Sequence, residues 1–239
     1  MGKSGDIRKK ALRAAFPHTL PIMTGFLFLG TSYGILSSLV YHYPWYFPPL
    51  MAICVFAGSM EFVALNLLAG SFNPLHALAM TLMVNARHLF YGLTLLDRYK
   101  AARHRRPYLI FGLCDETFSI NVAVEPPVDV DRSWFMYYVT LLDQSYWVLG
   151  AALGGIFGSL LSFEVKGLEF VMTALLLVIF LENWMKEKSH TSSLIGLAVT
   201  GASLAIFGPK NNLFVIPAMA AIIAVLTLLR APMEGRPEP

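Results

Sequence analysis

Residues 73–97 read NPLHALAMTLMVNARHLFYGLTLLD, and this stretch decides the fold. A helix needs roughly 20 apolar residues to cross about 30 Å of hydrocarbon, and the stretch supplies that length. Yet Asn85, Arg87 and His88 lie near its middle. At 1.5 Å per residue, Arg87 lies at least roughly 15 Å from either end, too far for its side chain to reach water. A charge at that depth costs about 2.5–3.5 kcal/mol on insertion scales. On a helix Asn85 and His88 share a face with Thr81 and Gly92, and Arg87 and Tyr91 share the adjoining one. That polar side cannot face lipid and must look onto protein or a wet cavity.

The remainder of the chain repeats the pattern. Hydrophobic residues make up 56% and charged ones 14%, where soluble domains carry about 25% charged residues, and the mean hydropathy is +0.59. Apolar runs fall at about 20–40, 48–70, 73–97, 107–124, 134–160, 167–185, 191–208 and 212–230. This is the pattern of an all-α integral membrane protein with seven to eight transmembrane helices. The organisation expected is a basic cytoplasmic tail (1–15), one transmembrane transporter domain (16–230) and a short polar tail (231–239). The first apolar run is longer than a signal-peptide core and no small-residue cleavage site follows it, so it reads as a retained span.

Lys and Arg gather in Lys3 to Arg13 and in Arg98 to Arg106. Such clusters favour the cytoplasm, and they point to anionic lipid heads, not to nucleic acid. If 20–40, 48–70 and 73–97 all cross, the second cluster emerges outside. If one early segment is broken or re-entrant, both clusters are cytoplasmic, and acidic Glu125, Asp129 and Asp131 fall outside. The first run, with Pro17, Pro21, Gly25, Gly30 and Gly34, is the leading place for an interruption, with a kinked helix using its glycines for close packing as the alternative. Segment 107–124, short and polar at its centre, is the second. Non-helical backbone at membrane depth survives only where protein or a wet cavity supplies hydrogen-bond partners, so a break would mark a solute path. An internal repeat relating 20–97 to 134–208 is a further expectation, of a kind transporters often satisfy.

Glu61, Asp115 and Glu116 are the acids at membrane depth, and Arg87 with His88 could face them as a mutually paired set. Trp147, beside Gln144, Ser145 and Gly150, either lines this polar interior or packs in the core. Tyr41, Tyr43, Trp45, Tyr46 and Phe47 read as an interfacial belt. Cys54 and Cys114 stand alone in apolar runs without metal-ligand spacing, so neither a metal nor a cofactor is expected. No Gly-x-Ser-x-Gly or His-Glu-x-x-His string and no phosphate loop is present, which argues against an enzyme.

Five motifs carry a resemblance: Pro21 to Gly25 with Gly30 and Gly34; Ala57-Gly58-Ser59-Met60-Glu61-Phe62; Asn85-Ala86-Arg87-His88 with Tyr91-Gly92; Asp115-Glu116-Thr117-Phe118; and Gln144 to Gly150 around Trp147. In this order and spacing, over about 12–230, the chain resembles the AzlC family, large subunits of bacterial branched-chain amino acid exporters. Two positions depart from the family pattern. Glu61 stands where Gln is common and Phe28 where a second Pro is common, and an acid can carry a proton that an amide cannot. The resemblance implies a multi-pass protein of the bacterial cytoplasmic (inner) membrane that exports small hydrophobic amino acids. It also implies a partner, a small AzlD-like membrane subunit.

The expected mechanism is secondary transport of a zwitterionic amino acid by alternating access. Asn85, Arg87, His88, Tyr91 and Trp147 would form the substrate site, with Arg87 on the carboxylate. Glu61, Asp115 or Glu116 would take the ammonium group or carry a coupling proton. The rivals are an ion or metal-ion permease and a membrane scaffold without transport.

Overall fold

The computed structural model describes residues 2–160, 170, 174, 177, 180, 181, 184, 185 and 190–207. Every regular element among them is helical. The chain divides into two compact units, Met1–Ser71 with Val84–Thr173, and Phe72–Met83 with Ala174–Pro239.

In the first unit, α1 (Gly2–Ile35) runs without a break through Pro17 and Pro21 and ends in a π-helical turn, Leu36–Val40. The interruption expected in this run is therefore corrected. Threonine hydroxyls bond back to carbonyls beside the two prolines, Thr19 to Phe16 (3.0 Å) and Thr24 to Pro21 (2.9 Å), as proline-containing membrane helices allow. Its glycines serve close packing instead. α7 (Arg132–Leu160) lies against α1, and a Cβ on Gly30 would stand 2.9 Å from the Trp147 carbonyl. On Gly34 it would overlap the Ala151 carbonyl, and on Gly154 that of Thr31. Thr19 also meets the Tyr146 hydroxyl (3.2 Å) across this seam.

The breaks fall elsewhere. Run 48–70 is split into α2 (Phe47–Cys54) and α3 (Ser59–Ala69), and run 107–124 into α5 (Arg106–Phe111) and α6 (Asp115–Ala123). Each pair is a hairpin that enters and leaves at one end of the unit. α2 starts where Phe47 stacks on Tyr43 (4.4 Å), and α3 finishes where Asn66 accepts a hydrogen bond from Tyr41, both just past the end of α1. This is the aromatic end. α5 starts beside α7, with Arg105 donating to Ser133 (2.7 Å) and lying over the Trp134 ring. α6 returns to the same end, where Arg98 near the finish of α4 (Pro74–Lys100) donates to the carbonyls of Asn121 (2.6 Å) and Val122 (3.1 Å). A cation on the last carbonyls of a helix suits its dipole.

The opposite, basic end thus gathers the start of α1 and the Arg98 to Arg106 cluster, as the charge argument requires. The acidic residues lie there too, which corrects the expectation that they face the other side. Lys10 pairs with Asp129 (3.2 Å), and Glu125 with Arg132 (2.8 Å) and Arg98 (3.4 Å). Attraction to neighbouring bases places these acids; the charge rule reads Lys and Arg, and Asp and Glu contribute little to it.

On α4, Leu89, Phe90 and Leu93 are exposed while Leu95 and Tyr99 are buried and Arg87 and Tyr91 half-buried. One apolar face thus points outward while polar Arg87 and Tyr91 turn inward with Leu95, the inverse of a water-soluble helix. Among the described residues, Gly5–Val40 is the one helix both long and apolar enough to cross a membrane; α4 and α7 have the length but carry polar residues midway. Of the second unit, α8 (Thr191–Phe207) is apolar, with Leu194, Leu197, Leu204 and Ile206 exposed. Run 167–185 lies largely, and 212–230 wholly, outside the described residues, as does much of the second member of the expected repeat. The described part shows another recurrence: α1 leads into a hairpin from the aromatic end, and α4 into one from the basic end.

Candidate functional site

The hairpin tips meet the middle of α7 from opposite ends. At the first tip, Phe56 (φ 44°) and Gly58 (φ 28°) adopt positive φ, turning the chain between α2 and α3. That region suits glycine and is costly for phenylalanine, so the tip is held by its surroundings. Glu61, in the first turn of α3 and fully buried, accepts the Ala57 backbone N–H at 3.1 Å. Trp147 of α7 donates its indole N–H to both oxygens of the same carboxylate, 3.1 Å each. The first turn of a helix favours negative charge, and these donors satisfy it. Tyr33 stacks on Trp147 (6.2 Å), and Phe26 meets that indole edge-on (5.5 Å).

At the second tip, Cys114 is extended and α6 begins at Asp115. Buried Thr117 ties the turn together, its hydroxyl accepting the Cys114 N–H (2.9 Å) and donating to the Gly112 carbonyl (3.1 Å). Thr117 occupies the same position in α6 as Glu61 in α3, third residue of the helix, and each bonds back to the turn before it. Asp115 pairs with Arg87 of α4, Nη1 to Oδ2 at 3.0 Å, with both side chains about a third exposed (28% and 31%). Beside them Tyr91 stacks on Phe118 (4.2 Å) and meets His88 edge-on (5.7 Å).

Gln144 of α7 binds both hairpins. Its amide donates to the Ile53 carbonyl at the end of α2 (3.3 Å) and its oxygen accepts the Tyr108 hydroxyl of α5 (2.6 Å). A hollow of about 460 Å³ opens here, lined by Ile53, Gln144, Ser145, Val148 and Leu149.

The acids and bases do not form one mutually paired set. Arg87 holds Asp115, and His88, Tyr91 and Glu116 lie close to that pair. Glu61 is bound to Trp147 of α7 instead. The pairing of Arg87 with Glu61 is thus corrected: indole and backbone N–H groups meet this carboxylate where a cation was expected. Sequence reasoning passed over Asp143, fully buried on α7 with no hydrogen-bond partner for either oxygen. The signal available was an acid midway along apolar run 134–160. Two polar atoms of the ion pair are also buried without a partner, Nε of Arg87 and Oδ1 of Asp115, as is Oδ1 of Asn85 elsewhere on α4. Among the described residues no group of three or more His, Cys, Asp or Glu side chains could hold a metal ion.

Comparison with known proteins places the chain among membrane proteins. The family model described as AzlC protein matches residues 21–161. The branched-chain amino acid transport protein AzlC of Bacillus subtilis is 57% identical, over 94% of this chain and 87% of its own length. A membrane protein of Haemophilus influenzae is 44% identical over 96% of this chain and 93% of its own length. The inner membrane protein YgaZ of Escherichia coli is 26% identical over 92% of this chain and 91% of its own length. No solved structure matches.

Proposed function

The chain belongs to the AzlC family, and on that premise we propose that it is an amino acid transporter whose substrate binds at the Arg87–Asp115 pair. The observation that carries the reading is the incomplete bonding of that pair. Its one close contact of 3.0 Å leaves Arg87 Nε and Asp115 Oδ1 buried and unmatched, and Asn85 of the same helix also carries an unmatched Oδ1. Buried polar groups without partners are costly. An α-amino acid zwitterion supplies what is missing: a carboxylate that accepts from the guanidinium, and an ammonium that donates to Asp115 and Asn85. Tyr91 and His88 border the same place, and Trp147 closes the far side of the mid-membrane region.

Paired half-helices whose N-termini point at mid-depth are a recurrent transporter device. Here α3 and α6 begin at mid-depth and run to opposite ends. Closing one hairpin while the other opens would expose the site alternately. The coupling proton is assigned to Glu61 or Glu116. The basic end is cytoplasmic in this reading, the membrane is the bacterial inner membrane, and net movement is outward. The name of the Bacillus subtilis relative supports a branched-chain substrate. A small AzlD-like membrane subunit is the proposed partner, which would cover part of the exposed apolar surface.

The test is efflux of labelled valine, leucine and isoleucine from vesicles containing the chain and its small subunit. Arg87→Ala is expected to abolish efflux, and Arg87→Lys to weaken substrate binding about tenfold or more, since an ammonium lacks the guanidinium fork. Unchanged efflux by correctly inserted Arg87→Ala protein would remove Arg87 from the site.

A further inference from the structure

Asp143 has no part in the site just described, yet it sits between the two hairpin tips, one turn before Trp147. Its side chain has no exposure and neither oxygen has a partner. Glu116 of α6, Cys114 at the second tip and Tyr108 of α5 lie within electrostatic reach of it. The titratable groups that α1 packs on α7 are Arg8, over the Trp134 ring and more than two turns earlier, His18, against Phe135 two turns earlier, and Tyr33, against Trp147 one turn later. Glu61 of α3 is held at Trp147, and Arg87 of α4 is engaged with Asp115. Among the described residues, then, no cation pairs with Asp143.

An ionised carboxylate there would be desolvated and unpaired, with a second acid close by to oppose it. Complete burial leaves no space for an ammonium group or for the oxygen ligands of a metal ion. The cation that fits is a proton. An exit is also present: Glu116 is half-buried, and Asp115, next along the helix, is 31% exposed.

We infer that Asp143 and Glu116 share an exchangeable proton, with Asp143 its deep resting site and Glu116 the group that passes it toward the ion pair. The inference rests on the transport reading and adds a second half to its proton carrier. The two carboxyl groups share no hydrogen bond in this structure, so the step needs Glu116 to swing into contact; the Asp143 O–H bond then breaks as the proton transfers to a Glu116 carboxylate oxygen, and one negative charge moves the opposite way.

Two measurements on the full chain with its small subunit test this. In vesicles, Asp143→Asn is expected to keep leucine counterflow at equal pH within about threefold of wild type. Stimulation by a pH gradient should fall about tenfold or more, as for loss of an intramembrane proton relay. A normal gradient response, or equal loss of both activities, would overturn the assignment. Infrared spectroscopy of wild-type protein with carboxyl-labelled aspartate needs no transport. A protonated aspartate band at neutral pH supports the proposal, and its absence overturns it. Should wild type move no amino acid, the transport reading fails, while the band still decides where the proton rests. It also decides if Asp143→Asn does not fold.

Discussion

Trp147 donates one N–H to both oxygens of the Glu61 carboxylate, 3.1 Å each, joining the first turn of α3 to the middle of α7. Replacing Trp147 by Phe keeps an aromatic ring and removes this donor. The variant is expected to lose about 1–3 kcal/mol, the cost of a buried acceptor left without its partner. Glu61→Gln, whose amide oxygen still accepts, should lose less. Thermal unfolding in detergent measures both, and a Trp147→Phe protein as stable as wild type would show that the contact does not hold the first tip.

The α1 and α7 backbones touch where glycines permit it. Gly34→Ala would drive a methyl group into the Ala151 carbonyl, whereas Gly25→Ala meets nothing within 4 Å. The first is expected to cost about 1–3 kcal/mol or more by overpacking. The second should be neutral or slightly stabilising. Comparing the folded yield of the two by size-exclusion chromatography separates packing from any general dislike of alanine in α1, and equal yields would argue against the close seam.

Exchanging the charges, with Asp at 87 and Arg at 115, preserves an ion pair between α4 and α6. A pair that merely rivets helices would work in either order. A pair that reads the two ends of a zwitterion from fixed directions would not. The double variant is expected to be well folded and at least about tenfold slower in efflux. Near wild-type efflux would favour the rivet.

The long apolar runs made the helical membrane class legible from the sequence, because burial in lipid demands such length and composition. The cost of burying Arg87 announced that it needs a partner, and Asp115 is that partner. The position of the breaks was less legible. Proline and glycine pointed to the first run, but threonine hydroxyls and glycine packing keep α1 continuous there. At the first tip the signal was subtler: Gly58 and Ser59 ahead of an acid in the next turn, the grammar of a helix start. The Glu61 to Trp147 bond joins residues far apart in the chain, so spacing alone could not reveal it. Asp143 was hidden for another reason: one acid in a long apolar run shows little until its burial and missing partners are known.

One side chain, Gln144, grips the last turn of α2 with its nitrogen and the phenol of α5 with its oxygen. Both hairpins are therefore fastened to the same post. In the transport cycle proposed above, sliding α7 along its axis would loosen one clasp while straining the other, so the two hairpins would sense a single displacement with opposite sign. On the alternating-access proposal, this shared clasp would be a mechanical reason for the two faces not to open at once.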